Sequence, residues 1–111
     1  MSTGAPLPVI AQPRLDLAAP DVDAAQAAAA LLADRTRASV MRLLRDGPHC
    51  VCEMATALGE RENNVSNHLA KLRDAGLVRA IRHESNGRFQ YYERDETAVA
   101  RALAAIEDVL R

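Results

Sequence analysis

A change of hydrophobic period at Gly76 constrains this chain more than any other feature. Ahead of it, Val65, Leu69 and Leu72 recur at i, i+4 and i+7, the spacing of one buried helical face. Beyond it, residues 78–83 and 88–93 read as two strands flanking Glu84-Ser85-Asn86-Gly87. The Asn86-Gly87 pair suits a tight hairpin turn that needs positive φ. A helix that stops at a glycine and gives way to a hairpin fixes the local topology before any other segment is read.

The remaining segments extend this pattern on both sides. Four of the five prolines lie in residues 1–20, which read as a flexible tail, leaving residues 21–111 as one domain. Asp21 is positioned to cap an Ala-rich helix running to about Ala33, and Asp34 to cap a second helix that carries Val40, Leu43 and Leu44. Gly47-Pro48 stops that second helix, and a third runs from about Cys50 to Leu58 with Gly59 as its terminator. The fourth spans about Glu62 to Gly76. A last helix, from about Asp95 to Leu110, carries Val99, Leu103, Ile106 and Leu110 at 4-3-4 spacing, the pattern of a helix-pairing seam. The expected order is ααααββα, a mainly α fold with a small β-hairpin (α+β).

Helix 50–58, the turn 59–61 and helix 62–76 make a helix-turn-helix, and hairpin 78–93 makes its wing. In such a unit the second helix enters the major groove. Asn63, Asn64, Ser66, Asn67 and Lys71 lie off the Val65/Leu69/Leu72 stripe and are the candidate DNA contacts. Asn pairs bidentately with adenine edges, and Ser serves bases or phosphates. Three Asn within five residues is costly for a helix, which function explains, although Asn63 and Asn64 also suit a helix cap. Arg79, Arg82 and Arg88, with the tip 85–87, would track an adjacent minor groove or the phosphate backbone; alternatively they are the charged edge of a solvated hairpin.

The net charge of −1 hides a division of labour. Residues 35–94 hold eleven bases against seven acids, giving +4, between flanks of −3 and −2. Thirteen of the fourteen bases are Arg, which forks onto phosphates and guanine edges where Lys acts as a point charge. A 49% apolar content with 26% charged residues excludes wholesale disorder. The longest apolar stretch, residues 24–33, is too short to span a bilayer. The first residues lack a basic segment followed by an apolar core, so a cytoplasmic protein without a membrane partner is expected. Paired carboxylates, a nucleophile–base set and a phosphate-cradling glycine loop are all missing, so an enzyme is not expected.

With these residues in view, the chain resembles the ArsR/SmtB family of winged-helix metal-responsive repressors. The resemblance spans residues 22–110 and rests on Leu32-Ala33-Asp34-Arg35-Thr36-Arg37, Cys50-Val51-Cys52-Glu53-Met54, Asn64-Val65-Ser66-Asn67-His68-Leu69-Ala70-Lys71-Leu72, Ala75-Gly76-Leu77-Val78 and Gly87-Arg88-Phe89-Gln90-Tyr91-Tyr92. It implies a homodimer that binds double-stranded operator DNA when metal-free and releases it on binding a metal or metalloid. Arg35 stands where the family commonly has Pro, a change of helix-start preference only.

Cys50 and Cys52 are the only cysteines. Their spacing looks like the family's thiolate site on the third helix, in its arsenite- and cadmium-responsive branches. In a regular helix, i and i+2 lie about 200° apart, so both thiols converge on one ion only at a helix start or with the first turn unwound. A helix start also supplies amides and a dipole that favour thiolate. The expected inducer is a thiophilic ion: As(III), Sb(III), Cd(II), Pb(II) or Zn(II). Ala55 occupies the position of the arsenite branch's third Cys, and residues 1–34 lack the cysteines of the cadmium/lead branch. A third donor is therefore left open among His49, Glu53, water and an external thiol, with His49 the nearest nitrogen. The family's other site, on the last helix, keeps Asp95 but has Thr97, Asp108 and Arg111 in place of its remaining ligands. His68 is expected to hydrogen-bond locally or at a dimer contact. An alternative keeps the repressor and makes the two cysteines a redox or persulfide sensor.

Overall fold

The computed structural model describes residues 20–82 and 90–111. The tail 1–19, the hairpin tip 85–87 and Arg88 lie outside the described residues.

Helix α1 (Pro20–Leu32) starts one residue ahead of the expected cap Asp21, with proline in the first turn where its missing N–H costs nothing. Asp34 caps helix α2 (Arg35–Leu43) as expected, its side chain accepting from the Arg37 N–H at 3.0 Å. The apolar face of α2 then continues through a 3-10 turn, Leu44–Asp46, which buries Leu44.

The sequence-based order needs one addition. A two-residue strand, β1 (His49–Cys50), precedes helix α3 (Val51–Leu58), so the order of regular elements is ααβααββα. Two residues are too few to show alternation, and β1 exists only through its partner. Helix α4 (Glu62–Asp74) follows, then strands β2 (Val78–Arg82) and β3 (Gln90–Arg94) and helix α5 (Glu96–Leu110), capped by Asp95. The described strands form an antiparallel sheet in the order β1-β3-β2, with Val78 opposite Arg94 and Arg82 opposite Gln90.

The turn of the helix-turn-helix depends on Gly59, left-handed at φ +66°. Gly76, at φ +82°, ends α4 in a Schellman motif: the Gly76 N–H donates to Arg73 O at 2.8 Å and Leu77 N–H to Leu72 O at 3.0 Å. That motif delivers Leu77 and Val78 into the core. There Val65, Leu69 and Leu72, each 0% exposed, meet Val40, Met54 and Tyr92. Truncating Leu69, Leu72 or Met54 to Ala would cost about 2–5 kcal/mol. Helices α1 and α5 pack against each other, with Ala25 and Ala28 of α1 buried.

Candidate nucleic-acid interface and thiol site

Burial of the Val65/Leu69/Leu72 stripe orients α4 and leaves Asn63, Ser66, Asn67 and Lys71 exposed on its other side. These four recur at three- and four-residue steps, so their side chains form one contiguous polar face. Asn64 departs from the expected role. It is half-buried and donates from Nδ2 to Glu60 Oε1 at 2.7 Å, while Glu60 Oε2 accepts from Thr36 Oγ1 at 3.4 Å. Asn64 thus fastens the turn to α2. Neither Asn63 nor Asn64 caps the helix; Arg61 occupies the N-cap without a side-chain hydrogen bond.

On the wing, Arg82 is exposed at the end of β2. Arg79 is committed elsewhere: its Nε lies 2.6 Å from Glu93 Oε2 and Nη1 lies 3.4 Å from Asp95 Oδ2. The antiparallel register brings Glu93 beside Arg79, so the side chain already has carboxylate partners within the fold. His68 is half-buried, and its Nδ1 lies 3.2 Å from Arg37 Nη1 and 3.8 Å from Asp34 Oδ1. It is a local hydrogen-bonding residue.

Cys50 is the N-cap of α3. Its Sγ accepts from the Glu53 N–H at 3.4 Å, and Glu53 Oε1 accepts from the Cys50 N–H at 2.9 Å, a reciprocal capping box with sulfur in place of the usual hydroxyl. Because the N-cap backbone is extended (φ −85°, ψ 165°), the 200° separation of helical i and i+2 positions does not apply, and the Cys52 thiol is near enough to influence the ionisation of Cys50. His49 is turned toward the same carboxylate, Nδ1 to Glu53 Oε1 at 3.4 Å. Glu53 was one of several open candidates in the sequence; here it organises both neighbours.

Electrostatics at this site run against one expectation. Cys50 is 5% exposed, and burial, followed by its hydrogen bond with Cys52, pushes its thiol above the ordinary range; the Glu53 amide opposes this and loses. One amide donor at a helix start does not outweigh removal of the sulfur from water. The Cys50 amide holds the Glu53 carboxyl below its usual value. Across the ladder Cys50 stands opposite Tyr91 and His49 opposite Tyr92; burial, then the charge of Glu53, pushes the Tyr91 hydroxyl up.

Among the described residues no three His, Cys, Asp or Glu side chains converge as a ready metal cluster. The adjacent sulfurs of Cys50 and Cys52 nevertheless fit a thiophilic ion as two of its donors, since soft metals and metalloids prefer thiolate. His49 is engaged by Glu53 and would have to turn to become a third.

The seam expected on α5 divides. Val99 packs on the core and Ile106 is half-buried, while Leu103 is 62% and Leu110 79% exposed. Val109 and, on α1, Val22 are exposed beside them, and a groove of about 290 Å³ runs between Val22, Ala25, Ala29, Ile106, Val109 and Leu110.

Comparison with known proteins agrees with this architecture. Residues 34–80, from the α2 cap into β2, match the family described as bacterial regulatory protein, arsR family. The arsenical resistance operon repressor of Escherichia coli strain K12 is 34% identical over 82 residues, 73% of this chain and 68% of that protein. The HTH-type transcriptional regulator CmtR of Mycobacterium bovis is 39% identical over 79 residues, 71% of this chain but only 64% of its own length. A crystal structure of a possible transcriptional regulator for arsenical resistance superposes with a TM-score of 0.66 at 30% identity, covering 73% of this chain and 81% of that one. A helix-turn-helix with a polar recognition face, similar over most of its length to transcriptional regulators rather than enzymes, is sufficient ground to conclude that the chain belongs to the ArsR family of bacterial regulatory proteins.

Proposed function

We propose that this regulator is a metal(loid)-responsive repressor. As a homodimer in the cytoplasm it binds double-stranded operator DNA through Asn63, Ser66, Asn67 and Lys71, with Arg82 and Arg88 on the wing. It leaves the DNA when a thiophilic ion is taken by Cys50 and Cys52, the inducer being As(III) or Sb(III), or Cd(II), Pb(II) or Zn(II). The similarity to an arsenical resistance operon repressor favours the metalloids among these.

The observation that carries the reading is that the Cys50 sulfur caps the helix on which the recognition helix rests. The ion supplies, when bound, a bond to deprotonated sulfur that offsets the unfavourable ionisation of a buried thiol. Cys50 then swings from the Glu53 amide toward the donor set shared with Cys52. The capping box opens, the first turn of α3 loosens, and β1 shifts against β3. Because α3 packs on α4 and β3 is a wing strand, both DNA-reading elements feel the change. A coupling of about 1–3 kcal/mol suffices for release. Oxidant sensing would call for an exposed, acidic thiol. Cys50 is buried with its thiol pushed up, which does not suit direct attack on an oxidant.

The homodimer reading is supported by the exposed Leu103, Val109 and Leu110 of α5 beside Val22 of α1. Such a two-helix apolar face suits a second copy of itself.

The test is titration of the reduced protein, bound to its own promoter DNA, with arsenite and Cd(II) separately while anisotropy of the labelled duplex is followed. Release by either ion at near-stoichiometric concentration is expected. Release by an oxidant alone would overturn ion sensing and leave the DNA-binding reading standing.

A further inference from the structure

The half-buried Arg37 makes more connections than any motif reading assigned to it. Its Nε donates to Leu31 O at 2.7 Å and its Nη2 to Ala30 O at 3.3 Å. Both carbonyls belong to the last turn of α1, where a positive charge is favoured by the helix dipole; Ala30 O also accepts from the Ala33 N–H at 3.3 Å. The third arm, Nη1, lies 3.2 Å from His68 Nδ1 on α4. The residue's own N–H is held by Asp34, whose carboxylate is also the charged group that faces His68, at 3.8 Å. One planar guanidinium therefore spans the end of α1, the start of α2 and the middle of the recognition helix. A lysine cannot reproduce this, because it presents a single point of donation rather than a fork.

We propose that Arg37 is a positioning residue that sets the recognition helix against α1 through His68, without itself touching DNA. An arginine N–H can only donate, so the pairing requires His68 Nδ1 to accept, with the ring proton on Nε2. The geometry in which Asn63, Ser66, Asn67 and Lys71 are presented then depends on a contact between α2 and the recognition helix, made by residues outside the set proposed to touch DNA. This inference rests on the DNA-binding part of the proposed function and is independent of ion sensing.

The test compares Arg37→Ala, Arg37→Lys, His68→Gln and His68→Leu on promoter DNA and on a random duplex, across a salt series at a temperature where each variant is folded. Arg37→Ala, Arg37→Lys and His68→Leu are expected to lose about tenfold in specific affinity. Their affinity for the random duplex and their salt slope should match the wild type. His68→Gln, whose side-chain oxygen can still accept from Arg37, should stay within about threefold of the wild type. Should Arg37→Ala fail to fold, the His68 pair decides alone. A salt slope reduced by about one in Arg37→Ala would mean a direct phosphate contact and overturn the proposal. So would wild-type affinity in His68→Leu. The nitrogen-15 spectrum of the wild-type imidazole gives a readout that needs no DNA: an unprotonated Nδ1 is expected, and a protonated Nδ1 at neutral pH would refute the pairing. If the wild type binds neither duplex while Nδ1 is unprotonated, the DNA-binding reading has failed, and with it the positioning role.

Discussion

Cys50 and Tyr91 face each other across the β1–β3 ladder, so the thiol site and the wing share one pair of strands. A displacement of the helix cap therefore reaches the wing through backbone pairing as well as reaching the recognition helix through α3. The chain has no Trp and two Tyr, which makes this relationship open to direct observation. In Tyr92→Phe, the emission of Tyr91 should change on arsenite or Cd(II) addition. Adding Cys50→Ser to that background should abolish the change; a signal that persists would mean the ion acts elsewhere.

The capping role of Cys50 separates stability from sensing. Ser is a preferred N-cap, so Cys50→Ser should melt within a degree or two of the wild type or above it, bind promoter DNA normally and fail to release it with the ion. Cys50→Ala should lose about 1 kcal/mol of stability, because the Glu53 amide is left without its acceptor. Cys52→Ser should resemble Cys50→Ser in release and leave the cap alone. Melting curves and anisotropy titrations of the three variants check the distinction.

Asn67 and Asn64 should behave differently although both lie on α4. Asn67 is exposed, and Asn67→Ala should weaken promoter binding by about 1–3 kcal/mol with an unchanged melting temperature if it reads a base edge. Asn64→Ala should instead lower the melting temperature by loosening Glu60 and the turn. Equal effects of the two on affinity alone would count against this assignment.

Leu103 is 62% exposed on α5, and a charge there should separate two copies without disturbing either core. On the homodimer reading, sedimentation should give a dimer mass for the wild type and the monomer mass for Leu103→Glu at the same concentration. A dimeric profile in the variant would move the interface elsewhere.

The Arg37 amide, more than any other group, holds the Asp34 carboxyl below its ordinary value of 3.8. A carboxylate with a depressed folded pKa stabilises the fold above its unfolded value, and the contribution is lost as pH falls through the folded pKa. Asp34→Asn keeps a capping side chain and removes the charge. Its melting temperature should fall below the wild type's at pH 7, and the two should converge in acid once the Asp34 carboxyl is protonated in the folded state. A gap that persists in acid would show that packing rather than charge is responsible.

Much of the architecture was legible because helix ends and strand turns carry their own chemistry. Gly59 and Gly76 stand where left-handed backbone ends a helix, and the Val65/Leu69/Leu72 spacing oriented α4 correctly before any tertiary contact was considered. What escaped was set by tertiary neighbours. Strand β1 has no periodicity of its own and is defined only by Tyr91 and Tyr92. Arg79 looked like a free wing cation because Glu93 and Asp95 are fourteen and sixteen residues away in the chain; strand register makes them adjacent. The upward shift of the Cys50 thiol is not legible in the sequence, because its amide partner is visible there and its desolvation is not. The Cys50-x-x-Glu53 capping box was, by contrast, available to a reader willing to put sulfur in a hydroxyl's place.

The brevity of β1 has a kinetic consequence. A strand with only two registered pairs can part from β3 by local opening, while Val65, Leu69 and Leu72 stay packed. If the proposed ion release runs through β1, its response time would be governed by peeling a few backbone contacts, on a scale far shorter than the lifetime of the folded domain. Reset after the ion departs would be equally quick, because the core that guides β1 back onto Tyr91 and Tyr92 was never dismantled.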